Sequence, residues 1–295
     1  MSALVIGVPV ATVWSGRAAP RAEDTAAVAD LPDVAAWVDS LDAAARRGLH
    51  GRTLTQALLG ERVDVVAEHG DWAEIVLPDQ PSSANSRGYP GWVRRAHLTS
   101  AIAGADVAQV VVTSPVGAAV TGSVRLSFGT RLPVRDSDSD RVAVGLPGAG
   151  NATLDPAHVA PYHVDGPIDL PGLLASATAF VGLRYLWGGT CAWGLDCSGL
   201  VHLVHRAHGR QVPRDAFDQH AAAVPVPLHD ARPGDLYFFA RPSERVYHVG
   251  LVTNEAGGEP TMLHAPEGDE LVEDAPLAPR RRATLVAAGS FVRPQ

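Results

Sequence analysis

The chain predicts an α+β architecture in three parts: two small β-barrels in the first half and a mixed helix and strand unit in the last third. Two observations carry the barrels. Leu59-Gly60-Glu61-Arg62-Val63-Asp64-Val65 aligns with Phe128-Gly129-Thr130-Arg131-Leu132-Pro133-Val134 at an offset of 69, and Asp71 to Pro78 aligns with Asp140 to Pro147 at the same offset. Both copies end on a matching triplet, Ala96-His97-Leu98 and Ala157-His158-Val159. A third observation carries the mixed unit. From Gly166 the pattern changes from short alternating runs to helical spacing followed by three apolar runs.

The elements follow in order. Met1 to Val13 is apolar, but no basic residue precedes the run and Pro9 interrupts it, so it reads as a first strand (Val8, Val10, Val13) and not as an export signal. The expected location is therefore cytoplasmic, with a secreted or wall-associated protein as the alternative. Asp33 to Arg47 places Val34, Val38, Leu41 and Ala45 at helical spacing, which predicts a helical insertion in the first barrel. Alternating apolar residues broken by Gly, Asp and Pro predict the strands and turns of the two copies. Pro167 and Pro171 mark a linker, Leu173 to Val181 predicts a helix, and a second helix begins at Asp196 or Cys197 and stops at Gly209. Asp235 to Phe239, Val249 to Thr253 and Met262 to Ala265 predict strands. The expected domains are 1–100, 101–165 and 166–295.

Composition narrows the function. The 295 residues are 46% hydrophobic and 19% charged, as in a globular protein, and no apolar run approaches the roughly 20 residues of a membrane span. A net charge of −8 argues against nucleic acid. All 24 basic residues are Arg, which with abundant Ala, Val, Gly and Pro indicates a GC-rich coding bias. The two cysteines, Cys191 and Cys197, exclude a disulfide framework.

The chemistry concentrates in four short motifs: Tyr185-Leu186-Trp187-Gly188-Gly189, Asp196-Cys197-Ser198-Gly199, Tyr247-His248-Val249-Gly250 and Leu263-His264-Ala265. A thiol at a helix start is favoured as thiolate, an imidazole can take and return its proton, and a third polar group can hold that imidazole in one orientation. Cys197, His248 and His264 supply these groups in order. His202, His205 and His208 lie at i, i+3 and i+6, but no carboxylate or cysteine completes a metal set, so they read as a packed stripe. Cys191 reads as structural. No metal or organic cofactor is expected.

At these motifs the chain resembles the NlpC-type cell-wall cysteine peptidases, from about Pro171 to Gln295. The resemblance implies a papain-like catalytic domain with Cys197 as nucleophile, His248 as general base and then acid, His264 as orienting residue and Tyr185 bordering the cleft. Pro213-Arg214-Asp215-Ala216 is similar to a family segment that often ends in Ser, so Ala216 departs from the pattern. Leu58 to Glu61, Gly70-Asp71-Trp72 and Gly88 to Trp92 resemble the first of two bacterial SH3-like domains in a subgroup, the γ-D-glutamyl-L-diamino acid endopeptidases acting on murein peptides. That resemblance implies a pocket for a free N-terminal L-Ala, with Glu61 and Asp196 on its ammonium and Tyr89 and Ser198 shaping the walls. It leaves open whether the diamino acid is lysine or diaminopimelate. An acyltransferase or amidase on another substrate, and a non-catalytic wall-binding protein, remain alternative readings.

Overall fold

The first strand divides in two, because Gly7 to Pro9 breaks the apolar run into Leu4–Ile6 and Val10–Trp14. In this computed structural model, which describes residues 3–102, 108–115, 118–119, 124–268 and 270–293, the chain mixes short helices with antiparallel sheets. The two strands join a seven-stranded sheet in the order Thr53–Leu58, Val10–Trp14, Tyr89–Arg94, Trp72–Leu77, Arg62–His69, Leu4–Ile6, Leu98–Ser100.

The second copy of the repeat builds a five-stranded sheet, Gly150–Leu154, Val142–Leu146, Arg131–Ser137, Gln109–Val112, Val159–Tyr162. The offset read in the sequence is present in the backbone. Gly60 and Gly129 both adopt φ of +81°, a left-handed turn that a side chain would strain, and each leads into the corresponding strand. The 3₁₀ turns Arg95–His97 and Pro156–His158 likewise precede matching last strands.

The segment expected as one helical insertion is two helices, Val34–Ser40 and Ala43–Arg47, preceded by a short helical stretch over Ala22–Asp24 and Thr25–Val28. Leu41 is extended at ψ 122°, and Asp42 starts the second helix by accepting from Ala45 N, as Asp33 starts the first by accepting from Ala36 N. Two good N-caps nine residues apart favour two helix starts over one continuous helix.

In the last third, helix Leu170–Thr178 begins three residues earlier than its spacing predicts. Pro171 is part of its first turn, where the missing N–H costs nothing, and so is not in a linker. Helix Cys197–Ala207 runs between Asp196 and the left-handed Gly209. The strands foreseen appear as Leu236–Phe239, His248–Val252 and Thr261–His264. Three more join them to give the order Val224–Val226, Leu285–Ser290, Leu236–Phe239, His248–Val252, Thr261–His264, Glu273–Pro276, all antiparallel.

All residues of helix Cys197–Ala207 are buried. Leu200, Val201, Leu203 and Val204 share one apolar cluster with Phe238, Val249, Leu251 and Leu263 of the sheet, and with Trp14, Trp37, Phe128 and Phe180. Burying each such aliphatic side chain contributes about 1.5–3 kcal/mol. The core is therefore continuous from the helical insertion of the first unit through the second copy to this helix. The opposite face of the sheet carries a separate cluster, including Tyr237, Phe239, Val252, Met262 and Leu277. Among the described residues no helix is long and apolar enough to cross a membrane.

Candidate active site

Cys197 is the first residue of its helix, and the motif around it interlocks with the Gly-Gly loop. Asp196 caps the helix, its Oδ1 accepting from Gly199 N at 2.7 Å and its Oδ2 from Gly188 N at 2.9 Å. Asp196 N donates to Gly189 O at 3.2 Å. A Cβ on Gly199 would stand 2.0 Å from Gly189 O, so only glycine lets the loop lie against the helix start.

The base side is assembled by a second close approach. A Cβ on Gly250 would stand 2.6 Å from Met262 Sδ and 3.0 Å from His264 Cβ, so glycine lets the two histidine-bearing strands meet. His248 Nε2 then lies 2.8 Å from His264 Nδ1, with the rings edge to face at 88°. His264 Nε2 lies 3.3 Å from Glu273 Oε1, the residue opposite it in strand register. His248 is fully buried, and its Nδ1 has no hydrogen-bond partner among the described residues. Glu267 Oε1 stands 3.9 Å from that nitrogen.

The resting protonation states follow from burial. The Cys197 thiol is pushed up to about 12 by desolvation and by the charges of Asp196 and Glu267, against a hydrogen bond with the Val249 backbone. Burial, then Arg281, then His264 hold His248 well below the usual imidazole range, and burial with Arg281 takes His264 down to about 3. The resting pair is thus a thiol and a neutral imidazole. Such a pair can react by transferring the proton as the sulfur attacks. Burial holds Tyr185 well above its ordinary value, with Asp196 and Cys197 adding to it, so the phenol stays protonated and able to donate.

The expected pocket residues divide. Asp196 and Ser198 stand beside Cys197, but Arg214 occupies them: its Nη1 donates to Asp196 Oδ1 and Ser198 Oγ at 3.0 Å each and its Nη2 to Asp196 Oδ2 at 2.7 Å. With Gly199, Gly188 and Ser198 also donating, the Asp196 carboxylate is fully engaged. Arg214 is 1% exposed and reaches the first unit through Nε to Thr55 Oγ1 at 2.9 Å.

Glu61 corrects the reading of the sequence. Its side chain is 0% exposed and accepts from Leu58 N at 2.9 Å, Gln80 Nε2 at 2.8 Å and Arg206 Nη1 at 2.5 Å. Arg206 is nine residues beyond Cys197, about 14 Å along the helix. A carboxylate so enclosed has no face left for a substrate ammonium, and Gln80, Thr55 and Arg214 stand in a chain of hydrogen bonds between it and Asp196. It is a strut between the first unit and the helix.

Tyr89 is on the first-unit strand that faces the site, and its hydroxyl donates to Asp215 at 3.1 and 3.3 Å. Burial raises the Asp215 carboxyl above its ordinary value, Arg214 opposes this, and Asp196 adds to it. Ala216 follows as the buried first residue of helix Ala216–Ala222. Strand Thr53–Leu58 closes this side, with Thr53 Oγ1 donating to Trp187 O at 2.8 Å and Gln56 N to Thr190 Oγ1 at 3.0 Å. Thr55, Gln56, Arg214, Asp215, Glu267 and Glu273 were not singled out as site residues by sequence reasoning. Only Arg214 and Asp215 had a signal, the Pro-Arg-Asp segment.

Cys191 is fully buried and free, its thiol pushed up to about 12 by burial. His202 and His205 bond Val212 O and Val201 O through Nδ1 at 2.7 and 2.8 Å, and His208 meets Ser176 Oγ at 3.0 Å. The three therefore do not converge on a common point, and among the described residues no group of three ligand side chains could hold a metal.

Residues 182–286 match the model of the NlpC/P60 family. The chain is 32% identical over 288 residues to a γ-D-glutamyl-L-lysine dipeptidyl-peptidase of Bacillus cereus, spanning 92% of this chain and 85% of that protein. It is also 32% identical over 272 residues to a protein of the same description from Bacillus subtilis, spanning 90% of each. The crystal structure of an NlpC/P60 family protein from Bacillus cereus superimposes over 99% of this chain and 100% of that one, with a TM-score of 0.92 at 30% identity.

Proposed function

The chain belongs to the NlpC/P60 family and is a cysteine peptidase, and on that footing we propose that it cleaves the bond between γ-D-glutamate and an L-diamino acid in murein peptides that carry a free N-terminal L-Ala. The observation that carries this reading is the His248–His264 pair at 2.8 Å, with a buried, unpartnered His248 Nδ1, on the strand next to a helix that begins with Cys197. The similarity to two dipeptidyl-peptidases named for a γ-D-glutamyl-L-lysine bond supplies the substrate class.

In this reading the Cys197 thiol gives its proton to His248 Nδ1 as the sulfur attacks the γ-carbonyl carbon. The N–H of Cys197, at a helix start, and the Tyr185 phenol stabilise the oxyanion. The tetrahedral adduct collapses, the C–N bond breaks, and the proton on His248 passes to the leaving amine. Water then attacks the thioester and gives a proton to the imidazole. The new carboxyl group departs and the thiol is restored by that same proton. His264 holds His248 with Nδ1 toward the sulfur.

The substrate ammonium is assigned to Asp215 and Tyr89. Asp196 supports the helix start and Glu61 is enclosed, whereas Asp215 has a side chain 26% exposed and, among the described residues, a hydrogen bond from Tyr89 with Arg214 farther off at 3.9 Å. An ammonium taken from water needs such a partner. The two repeat copies are assigned as SH3-like domains over 1–100 and 101–165, with the peptidase domain over 166–295, and the location as cytoplasmic.

The test is mass-spectrometric digestion of L-Ala-γ-D-Glu-L-Lys, its diaminopimelate counterpart and their N-acetylated forms, with Cys197→Ala as control. Release of L-Ala-γ-D-Glu from the free-amine peptides alone is expected. Equal cleavage of acetylated peptides would remove the ammonium pocket. Amide formation with an added amine outrunning hydrolysis would make the protein a transferase.

A further inference from the structure

Glu267 is a carboxylate the mechanism above does not use, although it stands at the reacting atoms. Its Oε1 is 3.9 Å from His248 Nδ1, and its side chain is 42% exposed. Its charge acts on Tyr185 and Cys197. The surrounding charges are otherwise committed: Asp196 to Arg214, Glu273 to His264, and Glu270 to Arg280 at 3.7 Å. Arg281, the cation felt by both histidines, donates to Tyr247 Oη at 3.3 Å and lies over the Tyr247 and Phe239 rings. Glu267 has no Arg partner among the described residues.

An anion in this position disfavours the thiolate that forms as the sulfur attacks but favours the imidazolium that forms with it, so its charge is not committed to the proton transfer and stays open to a cation arriving with the substrate. Distance says which cation can reach it. To receive its proton the leaving nitrogen must come within about 3 Å of His248 Nδ1. Glu267 Oε1 is 3.9 Å from the same atom, so it lies within about 7 Å of the leaving nitrogen. That span suits the second amino group of a diamino acid such as lysine, whose two nitrogens are separated by five carbons, roughly 7 Å when extended.

We propose that Glu267 receives the side-chain ammonium of the diamino acid on the leaving side, and so selects a cationic residue after the scissile bond. The proposal rests on the peptidase reading given above. The ion pair forms as the substrate binds, so the selection is read in kcat/KM.

The experiment compares kcat and KM for L-Ala-γ-D-Glu-L-Lys and L-Ala-γ-D-Glu-L-norleucine, which differ by the ammonium alone, in the native chain and in Glu267→Gln. The native chain is expected to favour lysine by about tenfold or more in kcat/KM. Glu267→Gln is expected to bring the ratio within about twofold. The ratio is internal to each protein, so a loss of folded enzyme cancels from it. Equal cleavage of both peptides by the native chain, or an undiminished lysine preference in Glu267→Gln, overturns the proposal and leaves the peptidase intact. Cleavage of neither peptide by protein with a titratable Cys197 thiol is failure of the peptidase reading itself, and takes this proposal with it.

Discussion

Tyr89 and Asp215, 126 residues apart, are joined by hydrogen bonds of 3.1 and 3.3 Å from one phenol to both oxygens of one carboxylate. One comes from the seven-stranded sheet and the other from the segment after the buried helix. Tyr89→Phe keeps the ring and removes the donor. For a free-amine peptide KM is expected to rise about three- to tenfold with kcat nearly kept, since the change falls on binding and not on the sulfur chemistry. Steady-state kinetics checks this, and a fall confined to kcat would contradict the assignment.

Glu61→Gln tests the strut. Arg206 would remain buried, 6% exposed at its side chain, without its hydrogen-bonded carboxylate and with only the more distant charge of Asp79. Breaking such a pair costs about 3–5 kcal/mol. A clear fall in denaturant midpoint is expected, with the preference for free-amine over acetylated peptide unchanged in the fraction that remains folded. Loss of that preference without loss of stability would restore Glu61 to the pocket.

Much of this follows from where each signal sits in the chain. The repeat, the Gly60 and Gly129 turns and the start of the Cys197 helix are legible because they rest on local backbone preference and spacing. His248 and His264 are legible as two short motifs in order, and Gly250, on the same strand as His248, lets the strands that carry them meet. Glu61 is different: its partner Arg206 is 145 residues distant, and no local pattern distinguishes a buried strut from a pocket acid. Asp196 precedes Cys197 in the chain, but the engagement of its carboxylate by Arg214 depends on a loop returning 18 residues later. Pro171 belongs to a helix start because of the turn before it, which spacing alone does not report.

Acid should destabilise the fold before the carboxylates titrate. His202, His205 and His264 have folded-state values of about 3, 4 and 3, all below the ordinary 6.5 of the unfolded chain. Burial is the main cause in each. Above 6.5 both states are neutral and the stability is complete. As pH falls from 6.5 toward 3–4 the unfolded chain takes up protons that the fold refuses, and stability is lost. Each histidine contributes a slope of about 1.4 kcal/mol per pH unit in that window. Tm is expected to drop measurably between pH 7 and 5. His205→Asn, which can still donate to Val201 O, should flatten the slope by about one proton's worth, and an unchanged slope would show that His205 does not contribute.

Iodoacetamide should modify Cys197 and spare Cys191, which is 0% exposed against 6% for Cys197. Peptide mapping of the native protein checks the site, and chelators should leave activity unchanged. With the resting thiol pushed up to about 12, labelling should accelerate through the alkaline range without a plateau at neutral pH. A neutral plateau would indicate a preformed thiolate and imidazolium.

The complete burial of helix Cys197–Ala207 bears on how the molecule fails. Its amides should be among the last to exchange with deuterium, because they open only when the cooperative core opens. Of the contacts that shape the pocket, Thr55 comes instead from the edge strand Thr53–Leu58 of the seven-stranded sheet, paired within that sheet on one side only, and such strands open at lower cost. Under mild heat or denaturant the chain should therefore become a less discriminating catalyst before it becomes an inactive one. Its selectivity would then report on the integrity of the outer sheet earlier than its rate does.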